Sequence, residues 1–132
     1  MLTFTALDGN PVNIREDLVV RARRAIHGES IQLGAQTRID WAVMQLVREP
    51  IQQVAAAIHA AIGDDFTHVT SKDKSEIWFA GPEATGPLPL VPSQAVGGVR
   101  SAIKLMGYRQ YVTETPDEVR AILTAAHGTV LP

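Results

Sequence analysis

Val47-Arg48-Glu49 returns as Val112-Thr113-Glu114, and Val54, Ala56 and Ile58 return as Val119, Ala121 and Leu123, always 65 residues later. A constant offset over several positions is the mark of an internal repeat, and it constrains the fold more than any local propensity. Upstream, Ser30-Ile31-Gln32-Leu33 resembles Ala102-Ile103-Lys104-Leu105, and Phe4 and Leu7 with Ile14 resemble Phe66 and Val69 with Ile77. Each half reads as a hairpin, a second hairpin and a closing helix. The expectation is an α+β protein of two tandem β-rich repeats, residues 1–63 and 64–132, with antiparallel sheets packed on helices. Units of this length are each marginal alone, so a shared core is expected.

Local signals fill in the elements. Residues 3–7 and Val12-Asn13-Ile14 flank Asp8-Gly9-Asn10-Pro11, whose turn chemistry predicts a hairpin. Residues 18–26 admit a helix or a strand. The strand reading turns at His27-Gly28-Glu29 into Ser30-Ile31-Gln32-Leu33, which alternates at period two. Residues 38–47 read as a long strand or partly as a helix. Pro50 as first helical residue, the stripe Ile51, Val54, Ile58 and Ile62, and Gly63 as the stop predict a helix over 50–62. Residues 66–70 and 76–80 read as a hairpin. Four Gly and four Pro fall within 81–98, which predicts one ordered loop or extended arm. Strand character returns over 99–112, turning at Met106-Gly107. Thr115 as N-cap, Pro116 as first residue and Glu118 closing a capping box predict a helix over 116–127, with Val119, Ile122, Leu123 and Ala126 as its apolar face and Gly128 as its stop.

Composition excludes several chemistries. There is no cysteine among the 132 residues, which removes thiolate metal sites, iron–sulfur clusters and thiol nucleophiles. Twelve Lys and Arg against fourteen Asp and Glu argue against a generic polyanion binder. His27, His59, His68 and His127 stand at no metal-ligand spacing, so no metal or cofactor is expected. Asp64, Asp65 and His68 form the densest titratable cluster, and two Asp after a helix-ending Gly read more simply as a solvated turn. No hydrolase elbow, phosphate loop or dinucleotide fingerprint is present, so no catalytic residue is assigned. No stretch approaches the length of a membrane span, and the first residues do not form a secretory signal. A cytoplasmic location is expected, or an assembly reached without such a signal.

The repeat unit resembles the SwrD/FlbD-like family of small flagellar and swarming-motility proteins. The matching pieces are Ala6-Leu7-Asp8-Gly9, Glu16-Asp17-Leu18-Val19, Ser30-Ile31-Gln32-Leu33 and Val47-Arg48-Glu49-Pro50, with Tyr111 to Val119 matching the ending in the second half. The family is not catalytic, so the resemblance implies a motility role and carries over no active-site residue.

Two kinds of residue could meet a partner. Trp41, Trp78, Phe79, Leu88, Leu90 and Val91 are candidate interface residues, because Trp is a favoured anchor and apolar loop residues must pack on this protein or on a neighbour. Arg21, Arg23 and Arg24, with Arg109 beside Tyr108 and Tyr111, are candidate nucleic-acid contacts; the other reading is a solvated sheet face whose charges meet Glu16, Asp17 or Glu29. The expected function is a non-catalytic protein-interaction or assembly module. It would be a homo-oligomer or a subunit of a larger complex, such as a motility apparatus or a phage-type particle. The alternative is a small nucleic-acid-binding or regulatory protein using the arginine stripe.

Overall fold

The computed structural model describes residues Met1–Pro132. The chain is an α+β mix of eleven strands and two helices. It divides into two compact units, Met1–Gly63 and Asp64–Pro132.

In the first unit, β1 (Leu2–Thr5) and β2 (Pro11–Ile14) form an antiparallel hairpin in which Phe4 faces Val12 and Leu2 faces Ile14. β3 (Arg21–Arg24), β4 (Thr37–Asp40) and β5 (Met44–Val47) form an antiparallel meander. α1 (Ile51–Ile62) closes the unit. Its stripe of Ile51, Val54, Ala55 and Ile58 is buried, as are Phe4, Ile14, Ala22, Ile39 and Val47. Period two on the strands and 3.6 on the helix thus converge on one core.

Four expectations for this unit are corrected. Residues 18–26 are strand only over Arg21–Arg24, and Glu16–Leu18 form a 3-10 turn. Ser30–Leu33 is no strand. Ile31–Leu33 is a 3-10 turn entered through Ser30 in the left-handed region, and β3 pairs instead with Thr37–Asp40. Residues 38–47 are two strands, because the chain reverses at Trp41-Ala42-Val43. Pro50 is the N-cap rather than the first helical residue: its ψ of 158° is extended, while its carbonyl accepts from the Gln53 and Val54 amides.

In the second unit, β6 (Phe66–Thr70) and β7 (Glu76–Ala80) form the hairpin. β8 (Ala84–Leu88), β9 (Ser101–Leu105) and β10 (Tyr108–Val112) pair antiparallel in that order. α2 (Pro116–Ala125) follows, and the short β11 (Thr129–Val130) lies parallel to β8. Phe66, Val69, Phe79, Ile103, Val112, Val119 and Leu123 are fully buried.

The stretch 81–98 is therefore not one loop. Its first part is a 3-10 turn, Gly81–Glu83, and a paired strand. Pro87 has no N–H to give to the ladder, and the β8–β9 register shifts between Thr85 and Leu88. The capping box of α2 stands as expected: Thr115 Oγ1 accepts from the Glu118 amide at 3.2 Å, and Glu118 Oε1 accepts from the Thr115 amide at 3.0 Å. The helix stops earlier than expected, and by a different residue. His127, not Gly128, holds the left-handed φ of 62°. The His127 and Gly128 amides then donate to the carbonyls of Thr124 and Leu123, which is a complete Schellman closure. Gly128 is required for space, since a Cβ there would lie 2.9 Å from the Gly81 carbonyl oxygen and from Leu123 Cδ2.

The same hydrogen bonds occur in both units at the offset seen in the sequence. The Ala6 amide donates to the Asn10 carbonyl, and the Ser71 amide to the Ser75 carbonyl. Asp8 accepts from the Asn10 amide, and Asp73 from the Ser75 amide. The Arg48 amide donates to the Thr5 carbonyl, and the Thr113 amide to the Thr70 carbonyl. Register follows: Phe4 faces Val12 as Val69 faces Ile77. Phe4 thus corresponds to Val69, not to Phe66, and β9 corresponds to β4, not to Ser30–Leu33. The match slips by one residue at the β-turns, because Trp41–Val43 spans three residues and Met106-Gly107 only two.

Candidate interaction surface

Alternation on β3 turns Ala22 into the core beside Ile39 and turns Arg21 and Arg23 to the opposite face. On that face the β4 register sets Asp40 opposite Arg21 but Arg38 opposite Arg23. Two like charges directly across a ladder destabilise it. Glu29, from the loop joining β3 to β4, resolves the conflict. Its carboxylate accepts from Arg23 Nη1 and Nη2 at 2.9 Å each and from Arg38 Nη1 at 2.8 Å. Asp40 continues the series, accepting from Arg21 Nε and Arg38 Nε at 2.9 Å each. The result is an alternating ionic row, Arg21–Asp40–Arg38–Glu29–Arg23, on one sheet face.

Burial alone would hold the Glu29 carboxyl above its ordinary value. The hydrogen bonds from Arg23, Arg38 and the Ile26 amide outweigh it and bring the group down to about 2. Burial pulls the Arg21 guanidinium downward against the raising effect of Asp40, whereas Glu29 and Asp40 together hold Arg38 above its ordinary value despite burial.

This row fixes the loop over residues 25–36. The Ala25 amide donates to the Gln36 carbonyl, Gln36 to Val47, and the Glu29 amide to the Ile26 carbonyl. Ala25 and Ala35 turn inward and are buried. Ile26, Ile31 and Leu33 turn outward, 49, 49 and 60 % exposed. Beside them lies a groove of about 480 Å³ lined by Arg24, Ala25, Ile26, His27, Ile31, Ala35 and Gln36.

The residues singled out from the sequence are scattered. Phe79 is buried core, and Trp78 stacks on Phe66 with ring centroids 5.5 Å apart and tilts over His68 at 4.5 Å. Trp41 lies half-buried in the turn between β4 and β5, and Leu88 and Leu90 are half-buried. Val91 is exposed. Arg109 donates to the Pro89 carbonyl at 3.0 Å, and Tyr111 Oη accepts from Gln94, so the loop after β8 folds back along β10. Arg21 and Arg23 are neighbours, but each is engaged by a carboxylate; Arg24 lies on the other face parity and is exposed. The acidic cluster disperses: Asp65 meets His127 Nδ1 at 2.6 Å, while His68 meets Glu76 at 3.3 Å. No group of three or more His, Asp or Glu is placed to hold a metal ion. No helix is long and apolar enough to cross a membrane.

Sequence reasoning missed Arg38 and Asp40 as members of the row, and Ile26, Ile31 and Leu33 as an exposed set. The lone Glu29 between an arginine-rich strand and Arg38 was the available signal. Comparison with known protein families, curated proteins and solved structures finds no match to this chain.

Proposed function

We propose that the protein is a non-catalytic interaction module built from two copies of one small unit, acting as a homo-oligomer or as a subunit of a larger assembly. The observation that carries the reading is the loop over 25–36. Its ionisable groups are spent on holding the loop in shape, and the side chains it turns to solvent are apolar. A rigid loop that exposes Ile26, Ile31 and Leu33 is pre-organised for contact, and pre-organisation lowers the entropy lost on binding. The hydrogen bonds repeated 65 residues apart support the duplication. The resemblance to the SwrD/FlbD-like family favours a motility apparatus as the setting.

Light scattering coupled to gel filtration over a wide concentration range tests the self-association arm. Crosslinking of the tagged protein in its native host tests the assembly arm. The reading expects a species heavier than one chain in one or the other. A monomer at every concentration with no crosslinked partner would overturn it.

A further inference from the structure

The groove beside β3 combines three properties. It is walled by apolar side chains, Ala25, Ile26, Ile31 and Ala35. Its polar lining is the Arg24 guanidinium, the His27 imidazole and the Gln36 amide, with no carboxylate. The carboxylate nearest in sequence, Glu29, points to Arg23 and Arg38 and is fully occupied there. The groove is therefore an apolar slot with a cationic rim in a chain whose net charge is -2.

We infer that this groove receives a peptide segment of a protein partner that pairs a bulky apolar side chain with a flanking carboxylate. The apolar residue would fill the slot between Ile26 and Ile31, where its burial supplies most of the affinity. The carboxylate would meet Arg24 and His27 at the rim, which sets orientation and rejects basic segments more than it adds affinity. Leu33, the most exposed of the loop's apolar residues, would extend the contact beyond the slot. The corresponding loop of the second unit offers no such slot, because Arg109 and Gln94 tie it down along β10. This inference rests on the interaction-module reading and names the surface and the partner's chemistry.

The test is selection of a random displayed peptide library on the full chain, followed by amide-shift mapping of the enriched peptides by NMR. Enriched peptides are expected to carry Asp or Glu beside Leu, Ile, Phe or Trp, and to shift the amides of Ile26, His27, Ile31 and Gln36. The Ile31→Ser/Leu33→Ser double variant, whose side chains are exposed and outside the core, is expected to keep its fold and bind at least about tenfold more weakly. Changing the peptide's acidic residue to Lys is expected to weaken binding by a similar factor. Enriched peptides without acidic residues, or equal binding by the double variant, overturn the inference. So does failure to enrich any peptide. If that failure comes with concentration-dependent shifts at these same amides, the occupant is a second copy of the chain, and the module reading survives. If it comes with no self-association and no crosslinked partner, the module reading falls too.

Discussion

The Thr5 amide donates to both carboxylate oxygens of Glu49, at 2.9 and 3.0 Å, and the Thr5 hydroxyl donates to one of them at 2.9 Å. The Thr70 amide donates to Glu114 at 2.9 Å. Each glutamate stands just before a helix and clasps the end of the first strand of its own unit. Thr37 Oγ1 adds to the first clasp by donating to the Glu49 carbonyl at 2.7 Å. The sequence match between Val47-Arg48-Glu49 and Val112-Thr113-Glu114 therefore has a physical reason: the glutamate satisfies a strand-end amide that the ladder leaves over.

Glu49→Ala is expected to destabilise the protein by about 2–3 kcal/mol, because it orphans a half-buried amide and a hydroxyl that were bonded to a charge. Glu114→Ala loses one such bond and should cost about 1–2 kcal/mol. Urea midpoints measured on both variants check the order. Equal losses would mean that the extra Thr5 bonds contribute nothing.

The ionic row predicts a pH dependence. Glu29 is held at about 2 in the folded chain, below its ordinary 4.5. A carboxyl depressed on folding adds stability that is fully present above its unfolded value and is lost as the pH falls through the folded one. The stability carried by Glu29 should therefore fade between roughly pH 5 and pH 2. Glu29→Gln should flatten this part of the acid limb, and at pH 7 it should already be less stable, since Arg23 and Arg38 then face each other uncompensated. Chemical denaturation at a series of pH values reads both effects. Arg23→Lys should behave as a weaker version, because an ammonium cannot reproduce the two-pronged contact with Glu29.

The parts of this fold that were legible in the sequence are those whose cause is local. The capping box at Thr115 and Glu118 and the hairpin turn at Asp8-Gly9 each need only neighbours within a few residues. The loop over 25–36 was misread because Ile31-Gln32-Leu33 alternates like a strand. Its real shape depends on Glu29 reaching Arg38, nine residues away, and on the Ala25–Gln36 backbone bond. The turn at Trp41-Ala42-Val43 was hidden because it contains neither Gly nor Pro. β8 was hidden for the opposite reason: Gly86 and Pro87 suggest a loop, yet the strand finds partners on both sides, β9 and β11. The interaction surface was the least legible. Its apolar residues were taken as strand interior, while the candidate Phe79 is core.

Gly81 predicts a steep steric cost. A Cβ at this position would fall 2.0 Å from the Ala126 carbonyl oxygen and 2.6 Å from its carbon and Cβ. These are backbone and helix-end atoms that cannot swing aside, and Ala126 is itself fully buried. Gly81→Ala should therefore cost about 3 kcal/mol or more, at the upper end of overpacking penalties. By comparison, Gly107→Ala meets nothing within 4 Å and pays only for its φ of 78°, about 1–2 kcal/mol. Thermal unfolding of the two variants side by side separates steric from conformational cost. A milder loss at Gly81 than at Gly107 would show that the end of α2 yields.

The two hairpin turns offer a direct exchange. Gly9 sits at φ 88° in the first, and Lys74 sits at φ 69° in the second, with matching backbone bonds around them. A left-handed conformation costs an L-residue about 1–2 kcal/mol and glycine almost nothing. Against this, glycine loses more chain entropy on folding, about 0.5–1 kcal/mol. The strain is the larger effect, so Lys74→Gly should stabilise the protein by about 0.5–1 kcal/mol. The reciprocal Gly9→Lys should destabilise it by a similar amount, since a side chain there has open space and only φ to resist it. Denaturation midpoints of the two variants and of the double exchange check the argument. The turns are separate and share no partner, so the double exchange should land near the parent value. A large departure from it would mean that the two turns are not equivalent.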